Sequence, residues 1–133
     1  MIVADTNLIS YLWIPGAKTQ LAEMVMAKDP VWIAPILWRS EFQNVLAGCL
    51  RRKDLNLSQV FRILDSAENY FKSNEYVISS QEVMKLVEKS ECSAYDCEFV
   101  CLAISKNIPL VTNDKKILAN FPKVAVKPDE FTG

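Results

Sequence analysis

Short, unalternating and mainly apolar runs alternate along this chain with longer stretches whose apolar residues recur three and four positions apart, and that alternation leaves few architectures open. The runs are Met1 to Ala4, Val31-Trp32-Ile33-Ala34, Tyr76-Val77-Ile78, Pro109-Leu110-Val111-Thr112 and Val124-Ala125-Val126. A strand with one wet face alternates apolar and polar residues, whereas unalternating runs belong to strands buried on both sides by helices. The intervening segments supply those helices. Leu8, Ile9, Leu12 and Trp13 share a face until Pro15-Gly16, and Leu21, Met24 and Val25 share another as far as Lys28. Pro35 suits the opening of a helix carrying Trp38, Phe42, Val45, Leu46 and Cys49 on one side. Further helices are expected over Leu57 to Phe71, after a Ser80 cap with Val83, Leu86 and Val87 inward, from Ser93-Ala94-Tyr95-Asp96 to Lys106, and over Lys115 to Asn120. The expectation is one α/β domain, residues 1–133, with a mainly parallel sheet of four to five strands covered on both faces.

Absent residue types narrow the chemistry. The 133 residues contain no histidine, which removes Ser-His-Asp and Cys-His nucleophiles and HExxH zinc sites. With glycine only at positions 16, 48 and 133, there is no Gly-rich phosphate loop. Of the four cysteines, Cys92, Cys97 and Cys101 cluster while Cys49 is remote. Cys97 and Cys101, one turn apart beside Val100 and Ile104, read as buried small hydrophobes in a reducing compartment rather than zinc ligands. The longest apolar run, Val31 to Trp38, is interrupted by Pro35 and falls far short of a membrane span. No basic stretch leads into an apolar one at the N-terminus, so a cytoplasmic location is expected. Lys and Arg number 15 against 16 Asp and Glu, for a net charge of −1, so a nucleic acid would have to be held locally and with a cation's help.

Four acids lie where a parallel sheet gathers its functional groups, at the C-terminal edge of the strands. Asp5 directly follows the first strand and Asp114 the fourth, Glu41 lies early in the helix leaving the second, and Asp96 is in the first turn of the helix that leads into the fourth. Each also has an ordinary role: Asp5 and Asp114 as helix caps, Asp96 paired with Ser93 in a capping box, Glu41 as an exposed helix carboxylate. Together they point further. Carboxylates about 4 to 5 Å apart repel by roughly 3 to 4 kcal/mol at an effective dielectric of about 20. A hard divalent cation removes that repulsion, and all-oxygen donors favour Mg²⁺ or Mn²⁺ over zinc. Such an ion activates water and neutralises phosphate charge, which allows phosphodiester hydrolysis without histidine.

At this point the sequence resembles a PIN domain, and in size and layout the VapC-like toxins of VapBC toxin–antitoxin pairs. The matching pieces are Val3-Ala4-Asp5-Thr6-Asn7, Glu41 by position, Tyr95-Asp96-Cys97 with Leu102-Ala103, and Leu110-Val111-Thr112-Asn113-Asp114. The resemblance implies an α/β/α sandwich and a Mg²⁺- or Mn²⁺-dependent ribonuclease. Asp5, Glu41, Asp96 and Asp114 would then be its catalytic and metal-holding acids, with Thr6, Asn7 and Thr112 supporting them by hydrogen bonds. It implies an RNA substrate cut to 5′-phosphate and 3′-hydroxyl ends, a cognate antitoxin as partner, and a homodimer. Cys97 stands where a small residue such as alanine is common, a change that touches packing more than chemistry. Lys115 and Lys116 adjoin Asp114 where phosphate would pass, although lysines after a loop are ordinarily just solvated. Tyr11, Trp13, Trp38 and Phe42 lie on segments suited to a groove near the acids, with core packing the more usual role at such spacing.

Two other readings compete. A receiver-type signalling domain also holds magnesium in a parallel α/β fold, but Asp5 has no acidic neighbour and no acid follows Ile78. A PIN-like domain that binds RNA or protein without cleaving it would share every feature above except activity.

Overall fold

Ile2–Ala4 is fully buried and forms β1, the strand around which the computed structural model of the protein, residues 1–133, is built. Along the chain follow α1 (Thr6–Trp13), α2 (Thr19–Lys28), β2 (Trp32–Pro35), α3 (Trp38–Arg51) and α4 (Leu57–Phe71). Then come β3 (Glu75–Tyr76), α5 (Ser80–Glu88), α6 (Ala94–Lys106), β4 (Leu110–Val111), α7 (Lys115–Asn120), β5 (Ala125–Val126) and α8 (Pro128–Thr132). The sheet has five strands in the order β3-β2-β1-β4-β5, and every neighbouring pair is parallel. Register pairs Val3 with Ile33 on one side and with Leu110 on the other. The chain order reverses at β1, so a crevice opens at the C-terminal ends of β1 and β4, where open α/β sheets place their ligands.

Helices flank this sheet. α6 packs against β1, β2 and β4, with α5 laid along it, while α4 meets β2 and packs with α1 and α3. An aromatic cluster fills the space beside β2. Trp38 and Phe71 have ring centroids 4.7 Å apart, and Trp13 lies 5.6 Å from Phe71 and 6.2 Å from Trp32. Each indole N–H in it finds an acceptor, as a largely buried Trp requires: Trp13 donates to Ser66 Oγ, Trp32 to Asp29 O and Trp38 to Glu75 Oε2. Trp38 and Phe42 are wholly buried, so the core reading holds for them. α6 ends on Asn107 in the left-handed conformation, an ordinary αL cap. No helix is long and apolar enough to cross a membrane.

Several local expectations need correction. The third strand is Glu75–Tyr76 rather than Tyr76 to Ile78, and Val77 is 87% exposed. Pro35 ends β2 instead of opening α3. Ala34 donates to Asn74 O, just before β3, and Ile36 to Tyr76 O, and Pro35's missing N–H falls beyond the paired residues of β1. Ser79, not Ser80, caps α5. Met24 and Ile104 are half-exposed rather than buried, and Cys101 is only partly covered. α8, which packs on α2, has no counterpart among the expected elements.

Candidate active site

The four acids share one cleft. Asp5, Glu41, Asp96 and Asp114 line a cavity of about 300 Å³ at the C-terminal edge of the sheet, together with Thr6, Asn7, Asn44, Val45, Phe99 and Ile117. Each acid arrives by local rules. Asp5 leaves β1 in an extended conformation and caps α1, its Oδ1 accepting the Leu8 N–H at 2.8 Å. Asp114 does the same after β4, accepting the Ile117 N–H at 2.9 Å. For both, capping and the cleft are one arrangement: the cap occupies one carboxylate oxygen and fixes where the other points. Ser93 caps α6 by accepting the Asp96 N–H at 3.1 Å, and the Asp96 carboxylate lines the cleft rather than completing a box. Glu41 sits in the first turn of α3 and accepts the Thr6 hydroxyl at 2.6 Å.

Beneath the cleft, the wholly buried Thr112 donates to Asp5 Oδ2 at 2.5 Å, and its oxygen accepts the Asp114 N–H at 3.0 Å. Of the residues expected to support the acids, Thr6 and Thr112 bond to them directly, while Asn7 lines the cleft and is exposed. Asn44 and Val45 were not anticipated in the lining. Their signal was present, since Asn44 lies one helical turn beyond Glu41 on the same face. Lys115 and Lys116 are exposed, as solvated lysines would be.

No lysine or arginine lines this cleft, and the electrostatics register it. Burial pushes the Asp5 carboxyl from its ordinary 3.8 up to about 6; the Thr112 and Leu8 hydrogen bonds oppose that, and the like charges of Asp114 and Glu41 add to it. Glu41 is likewise raised, by partial burial and by Asp96, against the Thr6 hydrogen bond. Glu98, just outside, is raised by burial and by Glu41. Burial first, then the nearby Asp96, Cys97 and Asp114, pushes the Cys92 thiol up to about 11, and all four cysteines are free. No three acidic side chains close into a ready-made metal cage. The donors are all oxygen, however, and an open carboxylate cluster suits a cation such as Mg²⁺ that keeps several of its waters. The residues present therefore fit a hard divalent ion.

Fold and site define an α/β domain whose polar centre is a carboxylate cleft at the switch point of a parallel sheet. The sequence matches the PIN domain family over residues 2–126, and the chain belongs to that family. The receiver-type alternative falls with that match. Among solved structures, the chain is similar to PAE2754 from Pyrobaculum aerophilum (TM-score 0.77, 18% identity, 98% of this chain and 92% of that one). It is also similar to FitAcB from Neisseria gonorrhoeae (TM-score 0.76, 15% identity, 96% and 98%) and to a toxin–antitoxin complex from Klebsiella pneumoniae (TM-score 0.72, 20% identity, 96% and 98%). At these identities the likeness is one of fold. No curated protein sequence matches the chain.

Proposed function

We propose that this protein is a Mg²⁺- or Mn²⁺-dependent endoribonuclease and the toxin of a toxin–antitoxin pair, working as a homodimer silenced by a cognate antitoxin. The observation that carries the nuclease reading is Asp5, a buried carboxylate facing two further acids with no cationic side chain in the cleft. Such an anion is expensive to keep unless the site's working state contains a cation. Membership of the PIN family supports hydrolysis, and the Klebsiella toxin–antitoxin complex among the structural neighbours supports the toxin reading.

On this reading Asp5, Asp96 and Asp114 hold the ion with Glu41 completing the set, and the ion supplies charge neutralisation for phosphate and acidity to water. Thr112 fixes Asp5, and the Leu8 N–H fixes its other oxygen, so this ligand is preorganised. Glu41, held by Thr6 and raised by its surroundings, takes the proton of the attacking water. In-line attack forms the new P–O bond and breaks the bond to the 3′-oxygen, leaving a 5′-phosphate and a 3′-hydroxyl. The 2′-hydroxyl is a bystander.

Wild type and Asp96→Asn, each incubated with total cellular RNA in Mg²⁺, Mn²⁺ or EDTA, test the proposal. Metal-dependent cleavage by wild type alone, with 5′-phosphate ends, is expected. No cleavage by folded, antitoxin-free protein in any metal, with no thermal shift, would leave a binding-only PIN domain as the better account.

A further inference from the structure

The corner where α3 turns into α4 carries a concentration of positive charge that the acidic cleft does not explain. Residues 51 to 62 hold Arg51, Arg52, Lys53 and Arg62 against a single acid, Asp54, in a chain whose net charge is −1. All four cations are exposed, and Arg51, Lys53 and Arg62 form no ion pair. Arg52 is held in place. Its Nε donates to Asp54 Oδ2 at 3.0 Å and its Nη2 to Cys49 Sγ at 3.6 Å. Gly48 leaves room for it, since a Cβ there would lie 3.0 Å from Nη1. Lys53 follows the end of α3 at φ 63°, the left-handed conformation that ordinarily falls to glycine, and the Asp54 N–H donates back to Cys49 O at 3.0 Å. A cationic side chain thus stands where the backbone alone would favour glycine.

We propose that this corner is a second RNA-binding surface, remote from the cleft, whose arginines and Lys53 hold backbone phosphates of the substrate at a distance from the cut. The proposal rests on the ribonuclease reading of the cleft and adds a capture surface outside it. Glu41 and Arg51 stand ten residues apart on α3, which sets the corner about 15 Å from Glu41 along the helix. A groove of about 290 Å³ joins the two, sharing Asn7 and Val45 with the cleft and reaching Cys49, on which the Arg52 guanidinium rests. The charges divide in the same way. Four acids and no cation line the cleft, so even with a metal bound it attracts only the phosphate beside that ion. Phosphates farther along the strand need cations of their own, and the planar guanidinium fork matches phosphate oxygens. A groove that leads from these cations to a metal-holding cluster of carboxylates suits a polyanion that ends on the metal, and disfavours an acidic protein segment. Each phosphate neutralised at the corner releases counterions, so binding there carries a salt dependence that the cleft lacks.

The test is equilibrium binding, in Ca²⁺ and over a range of salt, of two labelled RNAs: one of about four nucleotides, which occupies the cleft alone, and one of about twenty, which also spans the corner. The proteins are wild type, Lys53→Gly, and the triple variant Arg51→Gln, Lys53→Gly, Arg62→Gln. Wild type should bind the longer RNA about ten-fold more tightly or better. The triple variant should lose that preference, and its plot of log affinity against log salt should flatten by a slope of about 0.7 for each cation removed, with the short RNA unmoved. Lys53→Gly should weaken the longer RNA yet melt no lower than wild type, because glycine relaxes the left-handed turn, and this separates a lost contact from a lost fold. Equal affinity of wild type for both lengths, a triple variant that binds the longer RNA like wild type, an equal loss for both lengths, or no RNA binding at all would each overturn the proposal. So would an oligoglutamate peptide that binds wild type but not the triple variant while RNA binding stays intact, which would assign the corner to an acidic protein segment. Cleavage in Mg²⁺ is read separately. Metal-dependent cleavage of both lengths, alike in wild type and triple variant, removes the corner alone. Corner-dependent binding of the longer RNA without cleavage keeps it and removes the ribonuclease reading.

Discussion

Thr112 couples two acids that stand 109 positions apart in the chain: its hydroxyl donates to Asp5 Oδ2 at 2.5 Å while the same oxygen accepts the Asp114 N–H at 3.0 Å. Thr112→Val keeps the shape and removes both bonds. An orphaned donor and a less supported carboxylate should cost about 1 to 3 kcal/mol of stability. The hydroxyl also holds the Asp5 carboxyl down, so its loss pushes that group further up and narrows the pH range over which Asp5 is ionised. A pH–rate profile in Mg²⁺ should show the acid limb of Thr112→Val displaced to higher pH, and Thr112→Ser should restore it. Coincident profiles for wild type and the valine variant would refute the coupling.

Asp5 makes the metal-free protein less stable than it need be. Between pH 3.8 and about 6 the folded chain keeps a proton on this carboxyl that the unfolded chain has lost. Stability therefore falls as pH rises through that window, and by neutral pH the deficit is on the order of 3 kcal/mol. Asp5→Asn removes the buried charge. In chelator at about pH 7.5 the variant should melt several degrees above wild type, and the two should converge near pH 4. Added Mg²⁺ should raise the wild-type melting temperature and leave the variant's unchanged. An Asp5→Asn protein that melts below wild type in chelator at about pH 7.5 would contradict the assignment of Asp5 as an uncompensated anion.

Thr6 holds Glu41 across the mouth of the cleft at 2.6 Å. If Glu41 handles the proton of the attacking water, freeing it should slow the chemical step more than it weakens substrate binding. Thr6→Val is expected to lower kcat by about ten-fold with KM little changed. A matched rise in KM at constant kcat would instead place Thr6 and Glu41 in substrate binding.

The acids were legible in the sequence because each one solves a local problem. Asp5 and Asp114 end strands and cap the next helix, and Asp96 follows a serine cap, so strand ends and capping rules locate them without tertiary knowledge. Glu41 has no such signature and was found only through its place after β2. What misled was burial at the edge. β3 has a single neighbour, so the apolar Val77 carries no information about pairing, and the strand is placed instead by Glu75, which Arg39 and Trp38 grip. Two adjacent serines left the start of α5 open, although Ser79 with Glu82 three residues on has the box spacing that Ser80 lacks. α8 carries Pro128 at its start and Asp129 and Glu130 in its first turn, a helix-start pattern in a segment with too few apolar residues for periodicity to show.

Glu75 supplies a stability contribution of opposite sign to that of Asp5. Its carboxylate accepts from Arg39 Nε at 2.5 Å and Arg39 Nη2 at 2.9 Å in a forked pair, and from the Trp38 indole at 2.7 Å. Arg39 also reaches Glu68 at 3.0 Å, so this network ties β3 and α4 to the start of α3, one turn from Glu41. The Arg39 hydrogen bonds hold the Glu75 carboxyl below its ordinary 4.5, despite some burial. A lowered acid stabilises the fold above its unfolded value, and that contribution is lost as pH falls through the folded one. Glu75→Gln keeps the size but removes the charge, and should cost about 1.5 to 3 kcal/mol at neutral pH, the range for hydrogen bonds to charged groups. The difference in melting temperature between wild type and Glu75→Gln should be full at neutral pH and shrink below about pH 4.5, the reverse of the Asp5→Asn series, whose advantage grows as pH rises. A Glu75→Gln deficit that persists unchanged in acid would show that packing around Trp38, not the charged fork, is what the residue contributes.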